Sequence, residues 1–254
     1  MKDNYIFIHI GKCAGSFISK QFPQLNRVHM HKPKFRQDQQ YIIWIRNPIK
    51  RFVSAFNHSK SLIEYQLHTD CFDEIYNEKS SPYYRLKNKI NSKLLHNCPF
   101  AEWESGFNYE FLMNKFNSPN QLAESLTSNS KSVKNQAIEL MSNTEVEHIN
   151  KGLGWYLQNG DFVKHHHDSI KFVGRVEYIS EDLGHLSKLL GTPVGAAEKE
   201  REGYIKQIQS LTLSSLAITN IKKFYEKTDY YTLKSMLKYK LIDTQTYEDY
   251  LSLD

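Results

Sequence analysis

The sequence predicts an α/β protein, with a three-layer α/β/α arrangement around a mainly parallel sheet of about four or five strands. Apolar runs at residues 5–10, 41–45 and 170–173 have the β-branched and aromatic composition of buried strands. A helix-forming segment follows each run, and strands that alternate with helices favour a parallel sheet with both faces covered. We therefore expect a single domain over residues 1–254.

The first apolar run leads directly into the loop Gly11-Lys-Cys-Ala-Gly-Ser16 and then into a helix that continues to Phe22. Small residues allow a tight turn and bring backbone N–H groups close to a ligand. The N-terminus of a helix offers N–H donors without partners and favours an anion, and Lys12 adds a cation. This layout predicts a P-loop-like phosphate cradle, although its lysine comes earlier than in G-x-x-x-x-G-K-[ST]. An ordinary strand–turn–helix connection is the alternative.

A second strand, residues 41–45, ends at Arg46, and a helix follows from Pro48. Proline suits the first helical turn, where its missing N–H is not needed. Arg46 therefore stands at the carboxyl end of a strand, where open parallel sheets bind their ligands. With the hydroxyl of Ser54 on the following helix, this guanidinium predicts a second phosphate site. The alternative is a salt-bridged arginine and a buried serine.

The two segments resemble the phosphosulfate-binding loop and the 3′-phosphate-binding segment of sulfotransferases that use 3′-phosphoadenosine 5′-phosphosulfate (PAPS). The similarity is closest to carbohydrate sulfotransferases of the heparan 2-O-sulfotransferase-like branch, whose motifs look like "hIpKtaGtS" and "RdPieRlvSay". Weaker matches lie at Phe172–Leu183 and Phe224–Tyr231, so the resemblance runs with gaps from residue 5 to about 235. The chain departs from the pattern at Gly11, where proline is common, and at Cys13, where threonine or another small residue is usual.

The resemblance implies a sulfotransferase that moves a sulfuryl group from PAPS, without a metal, to a hydroxyl of a glycan, polysaccharide or glycolipid. Lys12 would stabilise charge on the bridging oxygen, Arg46 and Ser54 would hold the 3′-phosphate, and Arg175 would reach the nucleotide or the acceptor. The loop residues implied in binding the donor are Gly11, Lys12, Cys13, Ala14, Gly15, Ser16 and Phe17.

A short second strand is predicted over residues 27–31, and strand alternation places His29 and His31 on one face. The resemblance assigns the general base to His31 first and to His29 second. An imidazole has a suitable pKa for removing a hydroxyl proton near neutral pH. Histidines that are merely hydrogen-bonded or at the surface are the alternative, in which case an acid such as Glu102 or Glu104 would be the base.

The rest of the chain is predicted to be mostly helical. Residues 65–145 lack a convincing parallel strand and predict a helical insertion whose aromatic residues form a small core of their own. Side chains at His165–His167 are consecutive and cannot all reach one metal ion, so we expect a solvated turn there. Further helices are expected at 120–141, from Thr144 toward Leu157, at 177–190 before Gly191, at 213–225 and at 232–240.

The composition narrows the class of protein. The net charge of +5 suits an anionic ligand, but no basic tail or nucleic-acid-reading motif predicts DNA or RNA binding. No apolar run reaches the length of a membrane span, and we expect neither a signal peptide nor an anchor. The 3 cysteines lack CxxC spacing, which favours a reducing compartment and a cytoplasmic location.

Two other functions are compatible with parts of this pattern. A P-loop-type small-molecule kinase needs a Walker-type loop and an acid that holds Mg²⁺ at a strand end. The predicted strand ends carry His31, Arg46 and Gly174 instead. A non-catalytic nucleotide-binding domain would keep both phosphate sites and lack a base.

Overall fold

The computed structural model describes residues 5–68, 109–142, 148–194 and 213–252. These parts contain a 4-stranded sheet with the strand order β2-β1-β3-β4, and its three pairings are all parallel. The prediction of an α/β fold with a parallel sheet is therefore confirmed. The strands are β1 Tyr5–Ile8, β2 Asn26–Val28, β3 Gln40–Ile45 and β4 Ile170–Arg175.

Helices make up most of the remaining described chain. Short 3₁₀ segments lie at Gln158–Gly160, His167–Ser169 and Val176–Tyr178, and Glu226–Tyr230 is π-helical. The α-helices are α1 Gly15–Gln21, α2 Pro48–His68, α3 Tyr109–Asn114, α4 Pro119–Ser125, α5 Lys131–Ser142, α6 Leu153–Tyr156, α7 Asp161–His166, α8 Ile179–Leu190, α9 Ser215–Tyr225, α10 Tyr231–Lys238 and α11 Thr244–Leu251. None of the helices in the described ranges has the length and apolar character that crossing a bilayer requires.

The sheet has an apolar core on each face, because side chains of a strand alternate between faces. Ile42 and Trp44 of β3 pack with residues of α1 and α8, including Leu186. Ile43 and Ile45 point to the opposite face and pack with α2 and most of the other helices. Helices therefore cover both faces, which gives the three layers predicted from the sequence.

The helices α3, α4 and α5 belong to this main core. Phe116, Leu122 and Leu140 are buried in the same cluster as Ile43. The prediction that Phe116 belongs to a separate insertion core is wrong, because the apolar sides of these helices extend the larger face of the sheet. The other aromatic residues used for that prediction have side chains outside the described residues: Tyr83, Tyr84, Phe100, Trp103, Phe107, Tyr109 and Phe111.

The second strand is shorter than predicted and ends at Val28. The Val28 carbonyl accepts the N–H of His9, at 2.9 Å, and Met30 then turns the chain with a φ of 63°. His29 and His31 therefore follow the strand, and the prediction that they share one strand face is wrong. A methionine with a positive φ is uncommon, so a turn at Met30 is not predicted from the sequence.

Two predictions for residues 144–167 also need correction. The described part of the predicted 144–157 helix is a turn at residues 148–150, followed by α6, and Gly152 is extended with a φ of −89° and a ψ of −163°. His165 and His166 end α7 instead of forming a solvated turn. The His166 ring stacks on Phe35, with 3.7 Å between the ring centroids.

The C-terminal helix α11, which the sequence analysis does not predict, covers the carboxyl ends of β3 and β4. Asn47 Nδ2 donates to the Tyr250 carbonyl at 3.4 Å, and the Tyr250 hydroxyl donates to Glu177 Oε2 at 2.6 Å. Arg175 Nη1 donates to Thr246 Oγ1 at 3.2 Å. The histidines and the glycine loop instead follow the carboxyl ends of β1 and β2.

Candidate functional site

The segments predicted to bind phosphate meet at the carboxyl edge of the sheet. The loop of residues 10–14 follows β1, and Arg46 follows the neighbouring strand β3. Arg46 Nη1 donates to the Lys12 carbonyl at 3.3 Å, which joins the two segments directly. Parallel strands bring their carboxyl ends to one edge, so this meeting is the expected consequence of the topology.

The loop backbone offers some, but not all, of the predicted N–H donors. Lys12 and Ala14 are left-handed, with φ values of 65° and 57°, and Ala14 directly precedes α1. The Cys13 N–H, which was predicted to bind phosphate, already donates to the Ile10 carbonyl within the turn, at 3.2 Å. The N–H groups of residues 15–17 lie in the first helical turn, which has no intrahelical acceptors for them.

The two loop glycines make room for histidine rings. A Cβ at Gly15 would overlap the His9 ring, and a Cβ at Gly11 would overlap the His148 ring. We predicted that these glycines let a ligand approach the backbone, whereas their hydrogen atoms face buried side chains. Both glycines are therefore required by packing, because a side chain at either position would displace a histidine ring.

His29 is held at this loop in a defined tautomer. Its Nδ1 lies 2.9 Å from the His9 carbonyl oxygen, and because a carbonyl only accepts, Nδ1 carries the proton. When the ring is neutral, Nε2 therefore carries the lone pair that a general base needs. The ring stacks on His9 with centroids 3.9 Å apart. The Tyr156 hydroxyl lies 3.3 Å from Nδ1 and accepts the Met30 N–H at 3.2 Å.

His31, the residue predicted first as the base, is in a different environment. Its side chain is exposed. No hydrogen bond, ion pair or ring contact joins His31 to another residue in the described ranges. The structure therefore brings His29, and not His31, against the predicted donor loop.

Two of the rings around the loop, His9 and His148, are kept neutral by their surroundings. Burial, followed by positive charge at His29, Arg27 and Lys12, lowers the pKa of His9 to about 3. Burial and Lys12 also lower the pKa of His148 well below its ordinary value. Lys12 and Arg46 therefore supply positive charge next to two neutral rings, and that charge favours an anion.

Arg46 has donor capacity left for such an anion. Its Nε is buried and has no hydrogen-bond partner among the described residues, which is uncommon for a buried donor. Ser54, the second residue predicted for the 3′-phosphate, is 7% exposed on α2. The arginine and the serine thus follow the same strand, as predicted.

The surroundings of Arg175 and Cys13 indicate a role in the fold for each of them. Arg175 Nε and Nη2 donate to the carboxylate of Asp182 at 2.9 and 2.8 Å, so this guanidinium joins β4 to α8 and, through Thr246, to α11. Arg175, which was predicted to reach the nucleotide or the acceptor, is therefore not part of the candidate site.

Burial raises the pKa of the Cys13 thiol to about 12, so the thiol is protonated at neutral pH and is not an activated nucleophile.

Within the described ranges, Glu181, Asp182 and His185 bring possible metal-ligand atoms within 4.8 Å of one another. The Asp182 carboxylate of this group is already bound by Arg175, so a cation there would compete with the guanidinium.

Three residues of the site are absent from the sequence predictions: His9, His148 and Tyr156. His9 lies inside the first apolar run, and its place just before Gly11 is the one signal for it. Tyr156 is separated from its partner His29 by 127 positions, and His148 likewise reaches the loop from a distant segment. No local pattern marks either residue.

The buried neutral histidines predict that stability falls in acid. Because the folded-state pKa of His9 is below its unfolded value, the native state binds fewer protons, and stability is lost as pH falls below about 6.5. At pH 5 the loss from His9 alone is about 2 kcal/mol. Urea unfolding at pH 7.5 and pH 5 measures it. His9→Asn should reduce the loss, whereas His31→Asn should not; an equal loss in all three proteins would contradict this prediction.

The site combines backbone donors, two cationic side chains and an imidazole whose Nε2 carries a lone pair. These are the elements needed to transfer an anionic group to a hydroxyl. No protein-family model, curated protein or solved structure matches this chain.

Proposed function

We propose that this protein is a PAPS-dependent sulfotransferase that transfers a sulfuryl group to a carbohydrate hydroxyl. The observation that carries the proposal is the placement of His29: its Nδ1 is bound by the His9 carbonyl, beside a loop that Arg46 contacts through Lys12. His29, Lys12 and Arg46 thus follow three neighbouring parallel strands, β2, β1 and β3. The resemblance of the loop and of the Arg46 segment to PAPS-binding motifs agrees with this arrangement.

The donor half of the proposed site uses the loop and the start of α2. The N–H groups of Gly15, Ser16 and Phe17 would bind the 5′-phosphate, and Arg46 with Ser54 would bind the 3′-phosphate. Lys12 would neutralise charge on the oxygen that leaves with the nucleotide. Sulfuryl transfer resembles phosphoryl transfer, where positioning and charge stabilisation supply most of the catalysis.

The acceptor half of the proposed site lies at His29. Its Nε2 would accept the proton of the attacking hydroxyl. Trp155 packs edge-on against Tyr156 with ring centroids 4.9 Å apart. Its ring is partly exposed, and the Lys32 and Lys151 ammonium groups lie 5.9 and 5.4 Å from its centroid. An aromatic ring with a polar group nearby suits a sugar, and this supports a carbohydrate acceptor.

The free, buried thiol of Cys13 agrees with a reducing compartment, and we propose a cytoplasmic location.

The proposed donor site predicts tighter binding of adenosine 3′,5′-bisphosphate than of AMP. A charge-assisted hydrogen bond from Arg46 to the 3′-phosphate is worth about 1.5–3 kcal/mol, which corresponds to about 10–100-fold in affinity. Calorimetry with both nucleotides measures the difference. Arg46→Ala should abolish the preference, whereas Arg36→Ala, at an exposed position, should keep it.

Equal affinities for the two nucleotides would contradict the 3′-phosphate assignment. A preference for ATP with Mg²⁺ would favour the kinase, and binding without transfer to any sugar would favour a non-catalytic domain. The corresponding activity assay follows transfer from labelled PAPS to a panel of neutral and charged saccharides.

A further inference from the structure

The segment of residues 148–156 carries two of the rings that border the proposed site. His148, at one end, lies against Gly11 of the loop, and Tyr156, at the other end, contacts His29. The backbone of this segment is irregular up to Gly152, so regular secondary structure does not fix the position of His148. Other contacts must therefore place it.

A buried arginine holds the first part of the segment. The Arg51 side chain is 1% exposed, and its Nη1 and Nη2 donate to the carbonyls of His148 and Ile149 at 2.6 and 3.1 Å. The Tyr225 hydroxyl donates to the same Ile149 carbonyl at 2.5 Å. A planar guanidinium that binds two successive carbonyls fixes both the position and the direction of that backbone.

Asp229 connects this arginine to the second part of the segment. Its Oδ2 forms an ion pair with Arg51 Nε at 3.3 Å, and its Oδ1 accepts the Gly154 N–H at 2.8 Å. A Cβ at Gly152 would overlap the Asp229 carboxylate, so a glycine is needed for this approach. Arg51 and Asp229 thus bind the backbone of the segment before and after Gly152.

We infer that the buried Arg51–Asp229 pair is a positioning device that holds His148 against the donor loop and Tyr156 against His29. A buried ion pair is often no more stabilising than apolar side chains of the same volume. Its physical consequence is therefore placement, because the pair makes three hydrogen bonds to the backbone of the segment, at His148, Ile149 and Gly154. Arg51 acts through the segment and not on the substrates, and its effect on transfer rests on the proposed function.

The test replaces both charges together, because removing one partner would leave the other charge buried and unpaired. In Arg51→Met/Asp229→Leu we expect the rate constant kcat to fall about 10–100-fold, since misplacement by about 1 Å is enough for such a loss. Affinity for adenosine 3′,5′-bisphosphate should stay within about threefold. The matched control is Asn220→Leu. Asn220 lies on the same helix as Tyr225, and this change removes its hydrogen bonds to the Ala123 carbonyl and the Thr127 hydroxyl.

A second readout does not depend on transfer. Followed by NMR, the His148 imidazole should stay neutral at pH 6.5 in the wild type and in Asn220→Leu, and titrate nearer its ordinary pKa of about 6.5 in the double variant. If the double variant does not fold, Tyr225→Phe, which loses one contact to Ile149, should show the same two changes at smaller amplitude. Unchanged kcat or unchanged His148 titration in the folded variant would overturn the inference. A wild type that neither binds the bisphosphate nor transfers sulfate would refute the proposed function, while the titration would still decide the placement of His148.

Discussion

Replacing His29 with alanine is expected to lower kcat for transfer by about 10²–10⁴, while affinity for adenosine 3′,5′-bisphosphate stays nearly unchanged. The Nδ1–H group donates a hydrogen bond to the His9 carbonyl at 2.9 Å, so in the neutral ring the lone pair is on Nε2, where the incoming hydroxyl would be deprotonated. The donor-binding residues belong to other segments. Loss of the base should therefore change the rate without changing the binding of the nucleotide product.

Two companion variants separate the base from its structural contacts. His29→Asn retains a side-chain N–H near the position of Nδ1. Its thermal unfolding temperature should therefore be close to that of the wild type, while its kcat should fall as much as that of the alanine variant. His31→Ala should keep its rate within about threefold, because His31 is exposed and no hydrogen bond, ion pair or ring contact joins it to another described residue. If His31→Ala loses the rate and His29→Ala keeps it, the base assignment is wrong. If neither loses the rate, the base comes from another segment.

Lys12→Ala is expected to reduce transfer by about 10²–10³, since losing one electrostatic contact to the charge that develops in the transition state typically has this cost. The fold should survive. Lys12 is partly exposed and left-handed, with a φ of 65°, and alanine meets the same backbone restriction as lysine at that φ. Comparison of kcat, bisphosphate affinity and thermal unfolding between wild type and variant measures the effect.

The control for this loss is Lys20→Ala, which removes an exposed charge from the last turn of the same α1 helix. Lys12→Met, which keeps the length of the side chain without its charge, should be as slow as the alanine variant. Because the Lys12 charge helps to lower the pKa of His148, both Lys12 variants should also raise that pKa. Near-normal turnover in Lys12→Ala and Lys12→Met would show that the lysine does not stabilise the transition state.

The sequence alone was sufficient for three of the four strands and for the meeting of the Lys12 and Arg46 segments at one edge of the sheet. Apolar runs with β-branched residues identify β1, β3 and β4, because a strand buried on both faces needs such a composition. Parallel strands end at one edge, so Lys12 and Arg46 were expected near each other, and a hydrogen bond between their segments joins them. These features depend on short stretches of chain and on topology.

Tertiary structure decided which residues of the site face one another. The local sequence does not distinguish His29 from His31 as the residue beside the loop. The position of His29 there depends on the turn at Met30, on the His9 carbonyl and on Tyr156, which is 127 positions away. The glycines of the loop face histidine rings because His9 and His148 pack there, which no local pattern predicts. Side-chain direction is set by long-range contacts, and residues far apart in the chain leave no periodic signal of their meeting.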